Sequence, residues 1–193
     1  MKVMGNSERY TEAQKKLLKF EKEDLTEAER RVLRRALLPR KRYIPQTDEE
    51  GFSLTRDMLD KEKYIDFCAL AEEIRASYRG TTTRWMGGNR WWRQRLCFLC
   101  DKTMLCALAV TVDHFRLQIE FGERECRMFE TARESFPREE IQWLFDTAVW
   151  KNGKKLLQID PSSLVSFELL FRLLAIKRIP DEDHFSLYYD FRR

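Results

Sequence analysis

Few of the residues that announce an enzyme are present. Only two histidines, His114 and His184, occur in 193 residues, and neither stands beside a serine or cysteine in the sharp-turn context a nucleophile requires. No phosphate-cradling loop is visible, because Gly87-Gly88 lacks the spacing and the lysine such a loop needs. Glycine and proline are scarce, at 7 and 5 residues, which excludes collagen-like and low-complexity chains. Long apolar runs are missing as well. The greasiest stretch, Leu164 to Ile176, is interrupted by Glu168 and Arg172 and is too short for a bilayer, and the opening MKVMGNSERY has no apolar core for a secretion signal. A cytoplasmic protein without membrane association is expected. The five cysteines, an odd number without an export signal, read as reduced thiols.

What is there is a heavily charged globular chain, 43% hydrophobic and 35% charged, with a net charge of only +4. Its length suits one domain or a domain with an extension. The positive charge is unevenly placed. Arg30, Arg31, Arg34, Arg35, Arg40, Lys41 and Arg42 form a run without an acid, and Arg84, Arg90, Arg93 and Arg95 form a second; between Glu120 and Glu140 the balance reverses, with seven Glu against four Arg.

Periodicity organises the chain. Residues 8 to 22 read as a weakly amphipathic helix. Thr26 and Glu29 have capping-box spacing, and Leu25, Ala28, Val32 and Ala36 form an apolar stripe with the arginines on another face. Pro39 ends this helix. The segment YIPQTDEEGFS reads as a linker, followed by a helix over 56–78 closed by Gly80. Strands are expected over 90–100, 103–112 and 115–121, with two-residue breaks at Asp101-Lys102 and Asp113-His114 that demand antiparallel neighbours. Helices follow over 123–134 and 138–149, the latter with the cleanest apolar stripe in the chain. Asn152-Gly153 turns into a strand over 154–159, and a nearly all-apolar helix starts at Pro161. The tail HFSLYYDF has the pattern of an edge strand. The expected fold is α+β, an antiparallel meander packed against helices, with a basic helical extension over 1–50 and a core domain over 51–193.

Four constellations invite a chemical reading. In Arg84 to Arg95, basic and aromatic residues interleave around two glycines; guanidiniums neutralise phosphate and indoles stack on bases, which suits single-stranded nucleic acid or a nucleotide. Arg84, Arg90, Trp91, Trp92, Arg93 and Arg95 are the binding residues this pattern names. The competing reading buries two tryptophans in the sheet core and leaves the arginines as a solvated face. The run from Arg30 to Arg42 suits phosphate binding driven by counterion release, or else a solvated face paired with acids. Lys177 and Arg178, two further candidate binding residues, end the last helix, where the competing reading is that cations complement the macrodipole. Cys97-Phe98-Leu99-Cys100 has the spacing of a zinc knuckle but lies in an apolar strand that sends the two thiols to opposite faces. No metal or cofactor is expected.

The region from about Met58 to Pro180 resembles an uncharacterised prokaryotic family, catalogued as domain of unknown function 3788. Trp92 followed by Arg95 is similar to that family's Trp-x-x-Arg strand. Lys102-Thr103-Met104-Leu105-Cys106 is similar to its Gly-Lys-Thr-Leu-Cys segment, and Leu173 to Pro180 is similar to its closing Leu-Leu-x-Ile-Lys-Arg-x-Pro. Asp101 departs from the family's glycine, and no proline follows Cys106 closely. The resemblance implies a helix, sheet, helices, strand, helix order and no established activity. The sequence thus points to a non-catalytic binding module that engages a polyanion such as nucleic acid. The alternatives are a protein-interaction or self-association module meeting an acidic protein surface, and a site for a phosphorylated small molecule, with or without catalysis, beside Trp92 and Arg95.

Overall fold

The computed structural model describes Thr26 and residues 44–88, 93–161 and 168–181. The helices expected over 8–22 and 26–38 and the tail strand lie outside these residues. Six strands form one antiparallel sheet: β1 (Thr82–Gly87), β2 (Gln94–Cys100), β3 (Thr103–Thr111), β4 (His114–Phe121), β5 (Trp150–Lys151) and β6 (Lys154–Ile159), in the order β1-β2-β3-β4-β6-β5. Among the described residues five α-helices accompany them: α1 (Asp48–Met58), α2 (Lys61–Ser77), α3 (Glu123–Thr131), α4 (Trp143–Thr147) and α5 (Glu168–Lys177). The fold is α+β, as the alternation of periods implies.

Two-residue turns make the meander antiparallel. Asp101-Lys102 and Asn152-Gly153 all have positive φ, at 49° and 67° and at 53° and 73°, the geometry that matches the twist of the flanking strands. Asp tolerates the left-handed region where the resembling family has glycine, and the Asp101 carboxylate accepts from Arg178 Nη1 at 2.7 Å. The β3–β4 turn lies one residue earlier than the sequence suggested. Thr111 pairs with His114, so Val112-Asp113 is the turn and His114 opens β4. The Asp113 amide donates to Met58 O at 2.8 Å, which ties this turn to the end of α1.

The expected linker is a helix. Thr47 Oγ1 accepts from the Glu50 amide at 3.2 Å and caps α1, and Asp48, Glu49 and Glu50 fill the first turn, where the helix dipole favours acids. The single helix expected over 56–78 is broken at Leu59-Asp60, because Asp60 caps a new helix through the Lys63 amide at 2.8 Å. The helix expected over 138–149 is a wide turn over Arg138–Gln142 running into the short α4. It ends before Val149, since the next residues pair as β5 with β6.

One face of the sheet carries the core. Trp85, Leu96, Leu108, Leu117 and Ile159 join residues from all five helices in one buried cluster. Trp85 lies against Phe52 and Phe67, with centroids 5.6 and 6.5 Å away, and its indole Nε1 donates to Asp48 at 2.9 Å. This tryptophan therefore serves packing and is unavailable for stacking on a ligand. Gln94, only 2% exposed, donates from Nε2 to Thr55 Oγ1 at 2.6 Å and to Gly51 O at 3.1 Å. Replacing Gln94 with Leu removes both bonds from a buried network, and a loss of about 1–3 kcal/mol is expected in a urea titration; an unchanged midpoint would show the network to be dispensable.

Candidate anion-binding face of the sheet

Strand alternation sends every second residue to the other face. Arg84 pairs with Cys97, Cys97 with Ala107, Ala107 with Gln118 and Gln118 with Gln158, which makes one cross-strand row. The next row runs Met86, Arg95, Ala109, Arg116. Arg93, two residues before Arg95 and with its amide bonded to Val110 O at 2.8 Å, continues the β2 side of the same face. Four guanidiniums from β1, β2 and β4 therefore share one surface, of which Arg84 and Arg93 are exposed while Arg95 and Arg116 are half-buried.

The middle of this face is made of small side chains. Cys97 is 1% exposed and Ala107 and Ala109 are 0% exposed, yet none of the three belongs to the core cluster to which all five described helices contribute. Burial pushes the Cys97 thiol above its ordinary pKa, and the Arg95 and Arg84 guanidiniums draw it partly back. Arg84 is the cross-strand partner of Cys97, and Arg95 lies two residues before it on the same strand face. Cys100, by contrast, belongs to the core cluster, so the two thiols of the C-x-x-C do lie on opposite faces, as strand geometry requires.

Among the described residues Arg84, Arg93 and Arg95 form no ion pair, and Arg95 Nε is buried without a hydrogen-bond partner. Of the acids on the same face, Glu120 is taken by Lys154 at 3.0 Å and Asp160 lies 3.5 Å from His114 Nε2. Arg116 Nε donates to His114 Nε2 at 3.0 Å. Burial holds the His114 pKa below its ordinary value; the nearby Asp160 raises it in part, and the Arg116 and Lys63 charges lower it further.

Lys177 and Arg178 sit elsewhere. Lys177 Nζ donates to Met104 O at 2.6 Å and Arg178 pairs with Asp101, so the end of α5 grips the β2–β3 turn. Burial lowers the Lys177 pKa. These two cations border a cleft of about 360 Å³ with Cys100, Thr103 and Met104. Arg90, Trp91, Trp92 and the basic run Arg30, Arg31, Arg34, Arg35, Arg40, Lys41 and Arg42 lie outside the described residues. Gly88 N donates to Arg93 O at 3.0 Å, so β1–β2 pairing continues to the two residues that flank 89–92.

Sequence reasoning missed Arg116 and the small floor. Their signal was the alternation Phe115-Arg116-Leu117-Gln118-Ile119-Glu120-Phe121, which puts a cation on the polar side of β4. Compared with family models, with curated proteins and with solved structures, the chain matches none.

Proposed function

We propose that this protein is a non-catalytic binding module that engages a polyanion, nucleic acid first, through the arginine-bearing face of the β1–β2 hairpin. The observation that carries the reading is that Arg84, Arg93 and Arg95 share one face and have no acid partner among the described residues. Unneutralised guanidiniums side by side repel one another, and a polyphosphate backbone relieves that repulsion while releasing its condensed counterions. Arg90, Trp91 and Trp92, which lie between Gly88 and Arg93 in the sequence, bring the indole and guanidinium chemistry that suits single strands. A family assignment of residues about 58–180 to domain of unknown function 3788 belongs to the same proposal. Contacts between two of its motif-like segments support it, since Lys177 and Arg178 reach Met104 O and Asp101.

Fluorescence anisotropy with labelled single-stranded DNA and RNA tests the reading. Binding in the micromolar range at about 50 mM salt, weakening steeply as salt rises, is expected. Absence of binding at that ionic strength would remove the proposal.

A further inference from the structure

The sheet ends at β5, a strand of two residues whose outer edge no described strand covers. Large apolar side chains are exposed most densely around that edge: within eight consecutive residues Trp143 is 59%, Val149 77% and Trp150 47% exposed. We infer that this edge is an interface with a second copy of the chain, in which the two β5 strands pair antiparallel about a two-fold axis centred on the two copies of Trp150. The inference is independent of the polyanion reading.

Backbone direction favours this residue as the centre. Asn152 and Gly153 have φ of 53° and 73°, the two-residue turn that bonds its flanking residues to each other. Lys151 and Lys154 are therefore the hydrogen-bonded pair. Trp150 and Lys155, one step further from the turn, form a pair without mutual backbone bonds. The N–H and C=O of Trp150 consequently point out from the sheet edge. Two such edges related by a two-fold axis exchange both bonds, and each sheet continues into its copy.

Charge and backbone commitments then select the register. An edge lysine usually blocks further pairing, and Lys151 stands on this edge. Opposed residues of an antiparallel pair share a face, so a two-fold axis perpendicular to the sheet is centred on a residue. Centred on Lys151, it would set lysine against lysine. Centred on Val149, it would need the Ala148 amide, which already donates to Leu144 O at 3.1 Å. Centred on Trp150, it sets each Lys151 against the Val149 of the other copy and makes the two indoles a cross-strand aromatic pair.

There is room for that pair. Trp150 lies on the core face, because its partner Lys155 pairs in turn with buried Phe121. The indole borders an open cleft of about 600 Å³ shared with Cys126 and Glu130 of α3 and Phe145 of α4. Lys155 is folded down onto this floor: its Nζ donates to Phe145 O at 3.0 Å and lies 4.1 Å from the Phe145 ring centroid.

Sedimentation equilibrium of the full chain without nucleic acid, from about 5 to 500 µM, tests the interface. A short edge makes a small contact of the weak, concentration-dependent kind, so the mass is expected to rise from the 23.3 kDa of one chain toward twice that value. Trp150→Asp is expected to weaken association at least tenfold, whereas Ile65→Asp, on α2 and 55% exposed, is expected to leave it unchanged. Val149 reads the register. Val149→Glu sets a carboxylate against Lys151 and Val149→Lys sets a like charge there, so the first should associate at least tenfold more tightly than the second. A single-chain mass over the whole range overturns the inference, as does a Trp150→Asp protein that dimerises like the wild type. Equal association of the two Val149 variants overturns it too, and so does an equal loss from Ile65→Asp and Trp150→Asp. If circular dichroism shows that Trp150→Asp has unfolded, the two variants at the 77% exposed Val149 decide alone.

Discussion

Phe129→Ala is expected to cost about 3–5 kcal/mol, among the largest losses available to a single truncation in this chain. Phe129 is 0% exposed and stacks on Phe145 with centroids 4.0 Å apart and planes at 18°, on Phe136 at 5.0 Å and 23°, and at 6.5 Å from Phe121 of β4. One ring therefore joins α3, α4 and the loop between them to the sheet. Its removal leaves a cavity among rigid aromatic neighbours, which cannot collapse as aliphatic side chains can. Thermal unfolding should fall by roughly 6–20 °C for a chain of this size. A loss under about 1 kcal/mol would mean that this aromatic stack does not hold the helices.

Gly51→Ala gives a prediction whose sign is diagnostic. In an exposed helix interior, alanine stabilises by roughly 1 kcal/mol relative to glycine. Gly51 lies in the fourth position of α1, but a Cβ there would sit 2.1 Å from Trp85 Cε2 and 2.4 Å from Cδ2. The indole cannot retreat, since Asp48 holds its Nε1 and Phe52 and Phe67 flank it. Overpacking of this kind costs about 1–3 kcal/mol or more, so the substitution should destabilise despite the better helix propensity. A urea midpoint that rises on substitution would show that α1 and Trp85 are not in contact.

Both variants probe features that the sequence disclosed unevenly. The strands β3, β4 and β6 were legible, because they are rich in aliphatic and aromatic residues and short polar breaks such as Asp-Lys and Asn-Gly set them apart. α1 was not, although its signal was present: Thr47 precedes Glu50 by the capping spacing. Pro45 and Gly51 outweighed it, as they resemble linker punctuation, and the reason for a glycine in that helix is a tryptophan 34 positions later. Such a reason is tertiary and invisible to local pattern. The break at Leu59-Asp60 had a local signal in Asp60, a good cap, but the apolar stripe on either side suggested continuity.

The candidate site divides in the same way. Shared placement of Arg84, Arg93 and Arg95 depends on the register Arg84 to Cys97 and Met86 to Arg95. A slip of one residue would have put Arg84 in the core and Trp85 outside. Composition cannot fix that register. The apolar contacts of Trp85 do, because burying the indole against Phe67 commits its neighbours on both sides to the opposite face. Arg116 escaped attention because it stands alone in its strand and joins the others only when β4 pairs with β3.

The most direct test of an arginine face that neutralises phosphate is the salt dependence of single-stranded DNA binding by the intact chain and by Arg84→Gln/Arg93→Gln. Every phosphate that is no longer neutralised should flatten the plot of log affinity against log salt by about 0.7, so the double variant should bind more weakly at low salt with a slope shallower by about 1.4. An identical slope and affinity in the two proteins would contradict the account, because the face they share would then contribute nothing to binding.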